Sequence, residues 1–143
     1  MISIVIPSFN EEERIERCLA SLAQQDFPRQ EYEIIVVDGG SKDKTREIAE
    51  KYADLVFIQT SPKVGGARND GALRARGEII ATTDADTILP PNWLSRIRQY
   101  FLDPEVVMLY GPVKPIEATI KSQFYLFLAN SFAHIGYLTG TVL

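Results

Sequence analysis

The sequence has little of several residue types, and each shortage excludes a class of protein. Its 143 residues include one cysteine, Cys18, so no disulfide can form within the chain. A single cysteine is typical of a reducing compartment and predicts a cytoplasmic location. Basic residues are not in excess, because the formal net charge is -4. This balance argues against nucleic-acid binding through a basic surface.

Acidic residues are missing from the end of the chain, where no Asp or Glu follows Glu117. Residues 124–143 contain no Asp, Glu, Lys or Arg and a single histidine, His134, and a run of about 20 residues is long enough to span a bilayer. Asn130 and several small polar residues interrupt the run, which favours a buried or interfacial helix over a membrane span. Because the chain stops inside this apolar run, we expect a truncated domain.

What the sequence does have is a regular alternation of apolar strands and amphipathic helices. Apolar runs predict strands at residues 2–6, 32–37, 55–58, 78–83 and 106–110. Between them, helical spacing predicts helices at residues 11–24, 43–52, 67–76 and 90–101. Strands that are apolar throughout and alternate with helices predict an α/β fold. We expect an open, doubly wound, mainly parallel sheet with helices on both faces.

Local signals set the expected ends of two helices. Asn10, with Glu13 three residues later, predicts a capped start for the first helix. Gly77 directly follows the third predicted helix and is expected to be its C′ residue.

Polar side chains follow three of the predicted strands, at the point where each strand ends. These residues are 7–11, 38–41 and 84–86. The carboxyl ends of parallel strands meet at one edge of a sheet, where ligands bind in such folds. Carboxylates that converge there repel one another unless a cation lies between them. Oxygen ligands of this kind suit Mg²⁺ or Mn²⁺, which one or two carboxylates hold together with ligand phosphates.

A glycine-containing segment, residues 65–71, precedes the third predicted helix. Glycines before a helix let backbone N–H groups approach a phosphate, and the helix N-terminus favours an anion. Arg68 offers a forked donor suited to a diphosphate. The segment is neither a dinucleotide fingerprint nor a Walker loop, because both glycine spacings differ.

Four motifs in this order resemble family 2 glycosyltransferases of the GT-A fold, which is Rossmann-like. They are residues 4–12 (IVIPSFNEE), 35–45 (IVVDGGSKDKT), 66–71 (GARNDG) and 83–86 (TDAD). The resemblance covers about the first 110 residues and implies a donor-binding domain at 1–112. Residues 113–143 would then begin the acceptor region.

The resemblance also implies roles for individual residues. Phe9 would pack on the nucleotide base, and Asp38 would hydrogen-bond the base, typically uracil. Arg68 and Asn69 would border the ribose and the diphosphate. Asp84 would contact the ribose or the sugar, and Asp86 would ligate the metal ion. The full set expected to bind the nucleotide sugar is Pro7, Phe9, Asn10, Glu11, Asp38, Gly39, Arg68, Asn69, Asp84, Ala85 and Asp86.

The sequence departs from the family in two places. Gly39 stands where many members have a second aspartate. The family's catalytic base is a carboxylate in a later acidic motif, and no acid follows Glu117. We therefore expect the base to lie beyond Leu143, and this chain to bind a donor without transferring sugar efficiently.

Structural alternatives stand beside several of these roles. Asp38 could form an Asx-turn, Arg68 could pair with Asp70 or Glu78, and Phe9 could belong to the core. The aspartates at 84 and 86 could cap a following element. Cys18 lies on the apolar face of the first predicted helix and is expected to serve in packing.

The implied function is metal-dependent, inverting transfer of a sugar from a nucleotide diphosphate sugar, with a UDP-sugar favoured. The expected cofactor is Mn²⁺ or Mg²⁺, and the expected acceptor is a saccharide or a lipid-linked molecule. A lipid-linked acceptor would bring the chain into peripheral contact with the cytoplasmic face of a membrane. Two alternatives are a non-catalytic nucleotide-sugar-binding module and a nucleotidyltransferase-like enzyme.

Overall fold

The computed structural model describes residues 1–109 and residue 111. The chain divides into two compact units, Met1–Gln99 and Tyr100–Leu143. The predicted domain boundary after residue 112, the apolar segment 124–143 and His134 lie outside the described residues. Among the helices that the structure describes, none is both long and apolar enough to cross a bilayer.

Four parallel strands form the sheet of the first unit. They are β1 (Ile2–Ser8), β2 (Tyr32–Asp38), β3 (Leu55–Ile58) and β4 (Ile79–Thr82). The strand order is β3-β2-β1-β4, with every neighbouring pair parallel. The chain runs outward from β1 to β3 and then returns to the other side of β1. The order therefore reverses between β1 and β4, where open α/β sheets bind their ligands.

The helices follow the strands in alternation. They are α1 (Ile15–Ala23), α2 (Thr45–Ala49), α3 (Lys63–Ala72) and α4 (Trp93–Tyr100), with a short 3-10 helix at Arg29–Glu31. The buried residues of α1 recur at helical spacing and include Ile15, Cys18, Leu19 and Leu22. This apolar stripe gives α1 one buried face and one exposed face.

Both faces of the two central strands are buried, as expected for a parallel sheet in a doubly wound fold. Every residue of β1 and β2 is buried. On one face, Val5, Ile35 and Val37 form a core cluster with Ala67 of α3. Because side chains alternate along a strand, Ile4 and its even-numbered neighbours lie on the opposite face. Burial of these apolar side chains on both faces of the sheet stabilises the fold. The expected α/β architecture is confirmed.

Asn10 does not cap the first helix, contrary to expectation. It has a φ of 53°, and α1 begins five residues later at Ile15 with no side-chain cap. The Asn10 side-chain oxygen accepts a hydrogen bond from the Lys42 N–H at 3.0 Å. Its own N–H donates to Ser41 Oγ at 2.9 Å. Bonds to the loop after β2 have replaced the local cap.

Gly77 is likewise not a helix terminus, because α3 ends at Ala72. Its N–H donates to Ser3 Oγ at 2.8 Å. A Cβ at this position would lie 2.7 Å from the carbonyl oxygen of Met1. Glycine is needed here because the backbone passes against the start of β1.

The predicted fifth strand at 106–110 is wrong for the four of its residues that are described. Residues 106–109 adopt no strand conformation, and Val107 is 89% exposed. In the described part of the chain, no other segment pairs with them. An apolar run forms a strand only where a neighbouring strand is present to pair with it.

Candidate functional site

A cleft of about 470 Å³ opens at the carboxyl ends of the strands. It is lined by the end of β1, by residues that follow β1, β2, β3 and β4, and by the first residues of α3. The strand order reverses between β1 and β4. The lining residues are Pro7, Ser8, Phe9, Glu11, Gly39, Gln59, Lys63, Val64, Ala67, Asp84, Ala85 and Asp86. The structure thus brings together seven of the eleven residues predicted to bind the nucleotide sugar. Asn10, Asp38, Arg68 and Asn69 do not line the cleft.

The two aspartates after β4 lie on a turn. The Thr87 N–H donates to the carbonyl oxygen of Asp84 at 3.1 Å. Ala85 is buried, whereas Asp84 and Asp86 are exposed on either side of it. The buried alanine anchors the turn, so both carboxylates are presented to the cleft.

Cys18 lies directly beneath this turn. Its thiol is 3.6 Å from the carbonyl oxygen of Asp84. Burial, with a smaller contribution from the charges of Asp86 and Asp84, raises the pKa of Cys18 to about 12. A thiol with so high a pKa stays protonated and is a poor nucleophile. The predicted packing role fits this environment.

Arg68 binds Asp84, a partner that the sequence interpretation did not include. Its Nη2 lies 2.5 Å from Asp84 Oδ1, and its Nε donates to Thr82 Oγ1 at 3.2 Å. Neither Asp70 nor Glu78 is its partner. Arg68 therefore forms a salt bridge with the first aspartate of the turn, Asp84. No side chain among the described residues hydrogen-bonds to the second, Asp86.

Asp70 is a buried support for the loop that follows β3. Its carboxylate accepts hydrogen bonds from the backbone N–H groups of Thr60 (2.5 Å) and Ser61 (2.9 Å). Both hydroxyl groups also donate to it, at 3.0 and 2.7 Å respectively. These bonds, those from Ser61 first, hold the pKa of Asp70 well below its usual range. The loop between Gln59 and Lys63 is thereby fixed on the cleft wall.

Asp38 forms the Asx-turn that was the alternative to a base contact. It is fully buried, and its Oδ2 accepts from the N–H groups of Gly40 and Ser41, each at 2.9 Å. The Ser41 hydroxyl donates to its other oxygen at 2.5 Å. The turn holds Gly39 at the cleft. A contact between Asp38 and a base stays a prediction.

Phe9 is 59% exposed, so the alternative that it belongs to the core is wrong. A Cβ on Gly39 would lie 3.1 Å from its ring carbon Cδ2. The absence of a side chain at Gly39 therefore lets the ring lie close against the loop after β2. The exposed ring borders the cleft and offers a stacking surface.

The glycine segment lies elsewhere along the helix than expected. Helix α3 begins at Lys63, so Gly65 and Gly66 are in its first turn and not in a loop before it. A Cβ on Gly66 would lie 2.7 Å from the Ser61 backbone, which explains this glycine by close packing. The first four N–H groups of a helix have no partner within the helix. The expected helix N-terminus is thus present at the cleft, four residues earlier than predicted.

Five lining residues were not among those predicted to bind the nucleotide sugar: Ser8, Gln59, Lys63, Val64 and Ala67. Residues 59–61 are polar and directly follow β3, so the strand-end rule applied to the other strands would have identified Gln59. Lys63 has a φ of 64°, which no sequence pattern predicts for a lysine. Ser8 Oγ is buried without a hydrogen-bond partner among the described residues, and its residue lines the cleft.

The carboxylates of the cleft suit a hard divalent cation held partly by a ligand. No group of three or more metal-binding side chains occurs in residues 1–109 and 111. A complete protein cage is therefore not formed by these residues. Mg²⁺ and Mn²⁺ are often bound by one or two carboxylates plus phosphate oxygens, and Asp86 offers one carboxylate at the cleft.

Residues 3–132 match the sequence model of the family described as "Glycosyl transferase family 2". The chain belongs to this family. The match contains all residues of the cleft and, apart from Ile2 at the start of β1, every described strand and helix.

Curated members of the family are similar over much of the chain. The glycosyltransferase AglE of Haloferax volcanii is 38% identical over 101 residues, covering 66% of this chain and 33% of AglE. The poly(ribitol-phosphate) beta-glucosyltransferase of Bacillus spizizenii is 36% identical over 122 residues, covering 80% of this chain and 19% of that enzyme. The chain thus spans about a third or less of the length of these relatives.

Solved structures share the fold. Residues 1–349 of Staphylococcus aureus TarS, in complex with UDP-GlcNAc, align with a TM-score of 0.64 at 33% identity, covering 71% of this chain and 31% of that fragment. The Pyrobaculum calidifontis mannosyltransferase PcManGT, in complex with GDP-Man and Mn²⁺, aligns with a TM-score of 0.68 at 30% identity, covering 73% of this chain and 33% of the PcManGT chain. Both neighbours bind nucleotide sugars. The GT-A, Rossmann-like assignment of this family 2 chain is confirmed.

Proposed function

We propose that this chain forms the donor-binding part of a glycosyltransferase that takes its sugar from a nucleotide diphosphate sugar. The observation that carries the proposal is the content of one cleft. Two exposed carboxylates, Asp84 and Asp86, and the N-terminal turn of α3 border the same 470 Å³ space. A metal-bound diphosphate satisfies both features, because it bears anionic oxygens and brings a cation.

Asp86 is the proposed metal ligand, with Mn²⁺ or Mg²⁺ as the ion. Its carboxylate has no hydrogen bond from the described residues, and it lines the cleft. When bound, the ion would stabilise negative charge on the departing nucleoside diphosphate. Mn²⁺ in the PcManGT complex supports a divalent ion in this family.

The remaining cleft residues have distinct proposed tasks. The Phe9 ring stacks on the nucleotide base beside Gly39. The free N–H groups at the start of α3 face the anionic part of the donor, with the ammonium group of Lys63 as an added cation. Pro7, Glu11 and Ala85 shape the cleft around the nucleotide sugar.

We favour a UDP-sugar as donor and inversion by direct displacement at the anomeric carbon. The UDP-GlcNAc complex of TarS supports uridine, while GDP-Man in PcManGT makes guanosine the nearest alternative. The proposed acceptor is a saccharide or a lipid-linked molecule. The proposed location is cytoplasmic, at the membrane face if the acceptor is lipid-linked, in keeping with the single cysteine.

Calorimetric titration of the 143-residue chain with UDP, GDP and their sugars, with Mn²⁺ and with EDTA, tests this proposal. Asp86→Ala is expected to remove the Mn²⁺-dependent part of the affinity, because it deletes the unpaired carboxylate of the cleft. Asp26→Ala is the matched control, since Asp26 is exposed and does not line the cleft. Metal-independent binding, or unchanged binding by Asp86→Ala, would refute the metal assignment.

A non-catalytic nucleotide-sugar-binding module is the second candidate. Such a module would lack the base that transfer needs to activate the acceptor hydroxyl. Both candidates share the donor site and differ only in turnover.

A further inference from the structure

Arg68 is paired with Asp84, a residue of the cleft, but does not itself line the cleft. Asp84 lines the cleft, whereas Arg68 does not, although their side chains are 2.5 Å apart. The observed contact of the arginine at the cleft is with this carboxylate. An arginine placed this way acts on the donor site through the aspartate.

A second hydrogen bond fixes the arginine to the sheet. Arg68 Nε donates to Thr82 Oγ1 at 3.2 Å, and the Thr82 hydroxyl donates to the Val5 carbonyl oxygen at 3.0 Å. The hydrogen bonds thus run from β1 through β4 to the guanidinium and on to Asp84. A guanidinium is planar and its donor directions are fixed. The bond from Nε to Thr82 therefore also sets the direction in which Nη2 donates to Asp84.

We infer that Arg68 is a positioning residue that holds Asp84 in place, and not a direct ligand of the diphosphate. The inference rests on the proposed donor-binding function and deepens it. It assigns different states to the two aspartates: Asp84 is charge-paired and oriented, while Asp86 stays unpaired and open to the metal ion.

The pairing has a physical rationale. Two carboxylates separated by one residue repel each other when no cation is bound. Arg68 offsets one of these charges and leaves a single unpaired carboxylate for the ion. Since Arg68 and Asp84 are partly exposed, at 35% and 62%, the pair adds little to folding stability. Its effect should appear in ligand binding.

A double-mutant cycle tests the inference on the 143-residue chain, with UDP and GDP as probes in Mn²⁺ and in EDTA. Arg68→Gln is expected to weaken nucleotide binding in Mn²⁺ by about tenfold, within the range of coupling between directly contacting residues. Binding in EDTA is expected to stay within about twofold of wild type, and no further loss is expected in an Asp84→Asn background.

Two comparisons separate positioning from simple charge. Arg68→Lys keeps the charge but cannot hold Thr82 and Asp84 with one planar fork, so it should remain weakened. Arg46→Gln makes the same charge change on the exposed surface of α2 and should bind like wild type. The thermal midpoint Tm of each ligand-free variant should match that of Arg46→Gln.

The outcomes distinguish the inference from the function beneath it. If wild type binds neither UDP nor GDP, the donor-site proposal fails and this inference with it. If wild type binds but Arg68→Gln weakens binding equally in EDTA, or adds its full loss to Asp84→Asn, then Arg68 contacts the nucleotide directly and the inference alone is overturned.

Discussion

At the scale of single residues, Lys63 holds an unusual backbone conformation for its side chain. It is the first residue of α3, borders the cleft, and has a φ of 64°. A residue with a Cβ pays about 1–2 kcal/mol in the left-handed helical region. Such outliers persist where surrounding contacts impose them, and they concentrate at functional sites. Lys63 follows closely after the two residues that Asp70 binds, Thr60 and Ser61.

Lys63→Gly should therefore stabilise the chain while weakening donor binding. Glycine adopts the left-handed conformation without the cost of about 1–2 kcal/mol that a residue with a Cβ has. The greater backbone entropy of glycine in the unfolded chain offsets about 0.5–1 kcal/mol of this gain in stability. Lys63→Ala keeps the unfavourable φ and should therefore show no gain in the free energy of unfolding. Both variants should bind UDP more weakly, because both remove the ammonium group of Lys63. Urea unfolding and calorimetry measure the two effects. A Lys63→Gly variant less stable than Lys63→Ala would contradict the strain argument.

At the scale of elements, the loop between β3 and α3 depends on the ionised form of one buried carboxyl group. Hydrogen bonds from Ser61 and Thr60 lower the pKa of Asp70. A carboxyl whose folded pKa is depressed stabilises the fold at pH values above its unfolded pKa, about 3.9. That contribution is lost as the pH falls from there through the folded pKa.

Asp70→Asn should accordingly lower the Tm by several degrees at pH 7. The two carboxylate oxygens of Asp70 together accept four hydrogen bonds, and in asparagine an amide nitrogen, which cannot accept, replaces one of these oxygens. The Tm difference between wild type and variant should shrink as the pH falls below about 4. Asp26→Asn, at an exposed position, is the control and should change Tm little at either pH. A Tm difference that stays constant from pH 7 to pH 3 would show that Asp70 is not acting through its charge.

The elements also show which parts of the fold were readable from the sequence. The central strands were predictable because burial on both faces makes them apolar throughout, and the polar residues after them located the cleft. Asn10 and Gly77 were misinterpreted because their partners, Lys42 and Ser3, are distant in sequence. Local cap signals cannot report such partners. Residues 106–109 were wrongly predicted as a strand because an apolar run does not reveal whether a neighbour exists to pair with it.

The site was predictable by residue type but not by pairing. The strand-end rule identified Asp84 and Asp86, and the same rule extended to β3 would have identified Gln59. That Arg68 binds Asp84 depends on α3 packing across β1 and β2, with Gly71 against Val5 and Val37. This packing is a tertiary property. The pairing distinguishes Asp84 from Asp86 by a contact that the sequence motif does not reveal.

At the scale of the whole molecule, donor binding and sugar transfer should separate in this chain. The cleft is contained in the first unit, Met1–Gln99, whereas no carboxylate that could serve as base follows Glu117. General-base catalysis contributes about 10²–10⁴-fold to rate. We therefore expect the 143-residue chain to bind UDP or GDP with Mn²⁺ but to transfer sugar to simple saccharide acceptors at least about a hundredfold more slowly than a full-length relative such as TarS. Radiolabelled transfer measured beside calorimetric binding checks this, with Asp86→Ala as the blank. Robust Asp86-dependent transfer by this chain would show that the base lies within it and would exclude the binding-module alternative.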